Sequence, residues 1–192
     1  MKLRLAILGT LCIAAGLSAC GDPVDLKATA PTTTDTLTVY ALAGTPPSFP
    51  SALAIPSRQA VRVDGFGAFD VAFDINGAGQ AVLYPLNLVV TVPGGGRAVG
   101  LQKVPGAFDD VATAPRNGYV KDSALVVSPG EVVAIEAQHN GQGDVCGFQL
   151  SPFVYAKITI DRIDLAVRTL TFRLVTSLNC GFRSFAPGIP TS

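Results

Sequence analysis

Between residues 69 and 84 the chain alternates with a period of two. Phe69, Val71, Phe73 and Ile75 are interleaved with Asp70, Ala72 and Asp74, the period at which successive side chains point to opposite faces of a strand. Asn76-Gly77-Ala78-Gly79 then supplies turn-forming residues, and Gln80 to Tyr84 resumes as an apolar run. This predicts a hairpin with one wet face. The same reading predicts strands over 37–42, 60–63, 86–92, 98–104, 124–127 and 132–137. Two turns between them are explicit, Pro93-Gly94-Gly95-Gly96 and Ser128-Pro129-Gly130-Glu131. Only 108–112 hints at a helical turn, and Pro105 and Pro115 confine it.

The clearest strand pair lies near the C-terminus. Val154, Ala156, Ile158 and Ile160 share one face, Leu170, Phe172 and Leu174 share a face of the next strand, and 164–168 connects them. A connection centred near residue 165 places Ile158 opposite Phe172 and Val154 opposite Thr176. Many short strands separated by close turn signals argue for an antiparallel sandwich or barrel. Pro85 and the triple glycine interrupt the strands, whereas a barrel wants longer continuous ones. The expected fold is therefore all-β, an antiparallel β-sandwich of immunoglobulin-like type, with a lipocalin-like β-barrel as the alternative. The chain has no Trp, so the Cys…Trp…Cys pattern of antibody domains is absent.

The N-terminus has a different character. Lys2 and Arg4 precede an apolar run from Leu5 to Gly16, and Leu17-Ser18-Ala19-Cys20 follows, which reads as an export signal over 1–19. A bilayer span needs roughly 20 apolar residues, so a run of about a dozen is too short. The tetrapeptide Leu17-Ser18-Ala19-Cys20 resembles the lipobox of bacterial lipoproteins. That resemblance implies cleavage before Cys20, diacylation of its sulfur (palmitate among the chains) and acylation of the new N-terminus. Two or three acyl chains anchor stably where one does so only marginally. Residues 20–35, with Pro23 and Pro31 and no apolar periodicity, then read as a lipidated flexible tether, and 36–192 as a single β-rich domain.

Removing residues 1–19 takes away Lys2 and Arg4, leaving 12 basic residues against 14 acidic ones. No basic field remains to attract nucleic acid or anionic lipid. Cys12 leaves with the signal and Cys20 is taken by lipid, so Cys146 and Cys180 are the remaining thiols. In an oxidising compartment two such cysteines most often pair. The hairpin register places both past the same end of the C-terminal pair, where Pro152 and Asn179 can bend the ladder into loops and bring them together.

Candidate chemistry is sparse. His139 is the only histidine, in the loop Gln138-His139-Asn140-Gly141-Gln142-Gly143-Asp144, and is expected to be a solvated loop residue rather than a general base or metal ligand aided by Asp144. No G-x-S-x-G or H-E-x-x-H occurs. Asp74-Ile75-Asn76-Gly77-Ala78-Gly79 begins like a calcium loop, but Ala78 at the fifth position and Pro85 at the twelfth remove a ligand and the bidentate glutamate. Asp109-Asp110 and the pair Asp70 with Asp74 are expected to be solvated carboxylates rather than glycosidase pairs. Gly94-Gly95-Gly96-Arg97 lacks the Lys-Ser or Lys-Thr of a phosphate loop and reads as a turn. Tyr119, Phe182 and Phe185 fall outside the clear strands and are candidates for an exposed partner contact.

The function expected from the sequence is a membrane-anchored envelope lipoprotein, a non-enzymatic interaction or structural module with no cofactor and no metal. Its partners would be the membrane, through lipid on Cys20, and another envelope protein, with no nucleic acid. Gly21, rather than the aspartate that favours the inner membrane in the lipoproteins of enteric bacteria, directly follows Cys20, so the resemblance implies a lipid anchor in the cell envelope, at the outer membrane or a periplasmic face. The alternative is a carrier holding a small apolar ligand in a barrel cavity.

Overall fold

The computed structural model describes residues 28–63, 68–91 and 96–190. The expected signal peptide, Cys20, the first part of the expected tether and the Gly94-Gly95 turn lie outside the described residues. Ten strands form: β1 (Thr33–Tyr40), β2 (Ala52–Ala54), β3 (Gln59–Val61), β4 (Val71–Ile75), β5 (Ala81–Pro85), β6 (Val99–Val104), β7 (Leu125–Val127), β8 (Val132–Gln138), β9 (Phe153–Asp164) and β10 (Thr169–Ser177). They make two five-stranded sheets, ordered β1-β10-β9-β8-β6 and β3-β2-β4-β5-β7. All named pairs are antiparallel. The chain is thus the expected all-β sandwich, and the sheets do not close into the alternative barrel. It shares the two-layer architecture of immunoglobulin-like domains, with a strand order of its own.

The principal core lies between the sheets. Val39, Leu53, Phe69, Val71, Phe73, Leu83, Ile135, Val154, Ile158, Ile160, Leu170, Phe172 and Leu174 all contribute to it. On β9 and β10 the inward residues are those that the alternation put on one face. The β9–β10 register differs from the expected one by two residues: Ile158 faces Leu174 and Ala156 faces Thr176. The connection is centred nearer 166 than 165, and an irregularity beside Thr171 and Phe172 inserts one extra β9 residue into the ladder. A two-residue shift preserves which face is buried, so the core survives the error.

Three other elements depart from expectation. The expected strand over 86–92 does not form across its described residues, 86–91; Leu86–Leu88 is a single 3₁₀ turn, η1, in which the Val89 N–H donates to the Leu86 carbonyl. The expected helical turn at 108–112 is a hydrogen-bonded turn, not a helix. The last residues of the expected 20–35 tether are strand, because Thr33 to Asp35 belong to β1 and pair with Thr176 to Leu174. Thr33, Thr34 and Thr36 look polar, but β-branched threonine suits a sheet whose outer face is wet.

A third layer covers the outer face of the β1-β10-β9-β8-β6 sheet. Residues 105–121 and 181–190 cross it, tied by bridges between Leu101 and Val120 and between Thr113 and Ser184. Beneath them Phe108, Val111, Ala114 and Phe185 pack on Val132, Tyr155 and Val175. This layer buries polar residues that alternation alone would leave wet. Lys157 donates from Nζ to the carbonyls of Phe108 and Val111 and sits over the Phe108 ring, 4.3 Å from its centroid. Burial lowers the pKa of its ammonium, opposed by the charge of Asp109. Glu136 accepts from Tyr155 Oη at 3.3 Å and pairs with Lys121 at 3.0 Å.

Gly100 is what lets the crossing segment approach so closely. A Cβ built there would lie 2.7 Å from Cβ of Tyr119 and 3.2 Å from the Lys121 side chain. Gly100→Val is therefore expected to destabilise the domain by about 1–3 kcal/mol, the usual range for overpacking. Urea unfolding measures the loss, and limited proteolysis within 105–121 should accelerate in parallel.

Candidate functional site

His139 is not a solvated loop residue. It follows β8 directly, its N–H donates to the Pro152 carbonyl at 2.7 Å, and its side chain turns inward to 2 % exposure. There Nε2 lies 2.9 Å from Oδ1 of Asp70, which is itself fully buried. Asp70 precedes β4 and belongs to the other sheet, so the pair ties the two layers together. Arg97 completes the cluster, with Nε 2.7 Å from the same Oδ1 and its terminal nitrogen 2.9 Å from the Phe69 carbonyl. The Ile55 N–H donates to Oδ2 at 2.7 Å.

Burial by itself would raise the Asp70 pKa. The hydrogen bond and charge of His139, the charge of Arg97 and the Ile55 N–H outweigh it and hold the carboxyl below its ordinary value. An ionised carboxylate only accepts, so the ring nitrogen facing it carries the proton. Both carboxylate oxygens are thus taken up by donors from the protein itself. Among the described residues, the side-chain hydrogen bonds of Asp70 come from the His139 ring, the Arg97 guanidinium and the Ile55 N–H. The expectation that Asp70 and Asp74 share a wet face is also overturned. Asp70 is enclosed, while Asp74 accepts the Ala43 N–H at 3.1 Å and the Ile75 N–H at 2.8 Å.

The remaining sequence candidates are placed as follows. The Asn76 side chain caps the expected hairpin turn, accepting N–H bonds from Ala78 at 3.0 Å and Gln80 at 2.9 Å. Asp109 and Asp110 are exposed. Phe182 and Phe185 are buried rather than presented for contact, because the C-terminal segment folds back over the sheet and needs apolar side chains beneath it. Tyr119 is half-buried in the same layer, its hydroxyl donating to the Pro115 carbonyl at 3.2 Å.

Cys146 and Cys180 form a disulfide with Cα atoms 5.8 Å apart, as the sequence predicted. It staples the long 139–152 loop, between β8 and β9, to the residues that follow β10. Exposed apolar side chains concentrate on this loop: Phe148 is 94 % exposed, Leu150 68 % and Val145 42 %. Scattered surface apolar residues are ordinary, but three within six positions of one covalently fixed loop form a patch. Full burial of one such side chain is worth about 1.5–3 kcal/mol. The sequence reading passed over Phe148 and Leu150 because Gly141, Gly143 and Gly147 marked the segment as loop; two large apolar residues in a glycine-rich loop were the available signal.

Beside the staple, Asn179 holds the start of the domain. Its Oδ1 accepts the N–H groups of Thr29 and Ala30 at 2.7 and 2.9 Å, and its Nδ2 donates to the Ala30 carbonyl at 2.7 Å. The chain leading back to Cys20 therefore leaves the sandwich at the same end as the stapled loop. No family model matches this chain, and no curated protein or solved structure is detectably similar to it.

Proposed function

We propose that the protein is an envelope lipoprotein whose sandwich is held at a membrane by lipid on Cys20 and acts as a non-enzymatic binding or structural module. The observation that carries this reading is the lipobox-like Leu17-Ser18-Ala19-Cys20 behind its apolar run. Among the described residues no helix is long and apolar enough to cross a membrane. Gly21 after Cys20 favours the outer membrane, with another envelope protein as partner.

Two further observations support a module over a carrier or an enzyme. One space between the sheets, beside Leu53, Phe73, Ile158 and Phe172, amounts to about 10 Å³, and a hollow beside Gln80, Val126 and Leu165 to about 280 Å³, whereas a ligand site needs roughly 300–1,000 Å³. The buried Asp70 is also satisfied by His139, Arg97 and the Ile55 N–H. Cys20→Ser is the test: metabolic lipid labelling should disappear, uncleaved precursor should accumulate, and the lipid-dependent membrane extraction profile should be lost. Unchanged labelling in that variant would remove the reading.

A further inference from the structure

We infer that the stapled loop is a second membrane contact, with Phe148 and Leu150 entering the boundary between headgroups and acyl chains and setting the sandwich on its disulfide-bearing end. This rests on the proposed lipid at Cys20. Three observations on the fold carry it.

The first is where the chain leaves. Thr29 and Ala30 are fixed to Asn179, the neighbour of Cys180, and Cys180 is bonded to Cys146 in the loop. The second is reach. Cys20 lies nine residues before Thr29, and even fully extended such a stretch spans at most about 30 Å. β9 has 12 residues, so the hairpin tip at its far end stands roughly 35–40 Å from the stapled end. The lipid therefore cannot hold the sandwich upright on that far tip. The third is chemistry. Between Asn140 and Ser151 the only charged residue is Asp144, whose carboxylate is turned back onto the Gly141 N–H at 3.0 Å. What the loop offers outward is Phe148, Leu150 and Val145, with the uncharged Asn140, Gln142 and Gln149 among them.

An apolar loop beside an acyl anchor adds a second, short-range attachment. It turns a domain that could swing on its lipid into one with a fixed orientation. The far tip carries its own exposed pair, Leu165 at 55 % and Val167 at 59 %, which by the same geometry faces away from the bilayer and supplies a matched control.

The chain contains no Trp, so Phe148→Trp and Val167→Trp each install a sole fluorophore at an exposed position without disturbing the core. The full lipoprotein carrying each change is purified in detergent and reconstituted into vesicles of phosphatidylethanolamine and phosphatidylglycerol, with and without acyl-brominated phosphatidylcholine. Mass spectrometry of the N-terminal peptide reports the lipid on Cys20 independently. The expected result is blue-shifted emission and quenching by the brominated lipid for F148W, with V167W unchanged by either. Lipidated protein whose F148W emission stays red and unquenched overturns the loop contact and leaves the anchor standing. A blue shift without quenching overturns it too, in favour of a protein occupant. An N-terminal peptide without lipid removes the anchor and the loop contact together.

Discussion

Replacing Asp70 with Ala is expected to lower the unfolding free energy by about 3–5 kcal/mol, the range for removing one partner of a buried ion pair. The substitution strands three donors at once: the Arg97 guanidinium, the His139 ring N–H and the Ile55 backbone N–H. Leaving such groups unsatisfied is what makes the deletion severe, more than the attraction lost. Against a total stability of about 5–15 kcal/mol, that is a third or more of the fold in many domains. Because His139 and Asp70 act as one unit, D70A and H139A together should lose less than their separate sum. Urea unfolding of all three variants measures this, and a D70A loss below about 1 kcal/mol would reject the cluster as the link between sheets.

The same carboxylate fixes a pH dependence. Its folded pKa lies below the ordinary value near 3.8, so the unfolded chain binds the proton more readily than the folded one. The stability it contributes is complete above the unfolded value and is lost as pH falls through the folded one. Wild-type protein should therefore weaken below about pH 4, and Asp70→Asn, which cannot titrate, should lack that part of the acid transition while being less stable at neutral pH.

How much of this was legible in the chain depended on whether the signal was local. β9 and β10 were readable because β-branched and aromatic residues alternate over a long run with an obvious turn between. β2 was not: Ala52-Leu53-Ala54 lies between Pro50 and Pro56 and is too short to display a period. The 86–92 segment was misread because a short apolar run is compatible with strand, buried turn or helix, and only tertiary packing selects among them. Thr33 to Asp35 were misread for the opposite reason, since an edge strand with a solvated face resembles a polar tether until its partner, β10, is known.

The candidate sites divide in the same way. The disulfide was legible from counting cysteines and from the hairpin's end. The Asp70–His139–Arg97 cluster was not, because its members are separated by 69 and 27 residues and a single sequence carries no mark of long-range polar pairing. Alternation put Asp70 on the wet face of its hairpin, yet the residue stands just before β4, where the backbone is free to turn the carboxylate inward. Phe182 and Phe185 were offered to a partner because they lie outside strands; the third layer that buries them has no periodicity to announce it.

Reduction of the Cys146–Cys180 bond is expected to destabilise the domain by about 3–4 kcal/mol in the chain-entropy account, given a closed loop of 34 residues. For a domain of this size that corresponds to a fall in Tm of roughly 6–16 °C. The local consequence should be concentrated at one end. The loop backbone is otherwise held by the His139 N–H on the Pro152 carbonyl at 2.7 Å, the Cys146 N–H on the His139 carbonyl at 2.8 Å, and internal turns in which the Asp144, Gly147 and Gln149 N–H groups donate to the Gly141, Asp144 and Cys146 carbonyls at 3.0–3.1 Å. Gly147 packs so tightly there that a Cβ would lie 2.7 Å from the Gly141 carbonyl oxygen. Without the staple those bonds must hold Phe148 and Leu150 in place alone, and Asn179, next to Cys180, loses the support that positions it against Thr29 and Ala30. Melting with and without reductant gives the global effect, and hydrogen exchange at Thr29, Ala30 and Cys146 gives the local one. The Cys146→Ala, Cys180→Ala double variant separates reduction from side effects of the reagent. Two free thiols in the native protein, or an unshifted Tm after complete reduction, would sink the prediction. Faster exchange across β4 and β5 before any change at Thr29 would show that the bond braces the core rather than the end at which Asn179 holds Thr29 and Ala30.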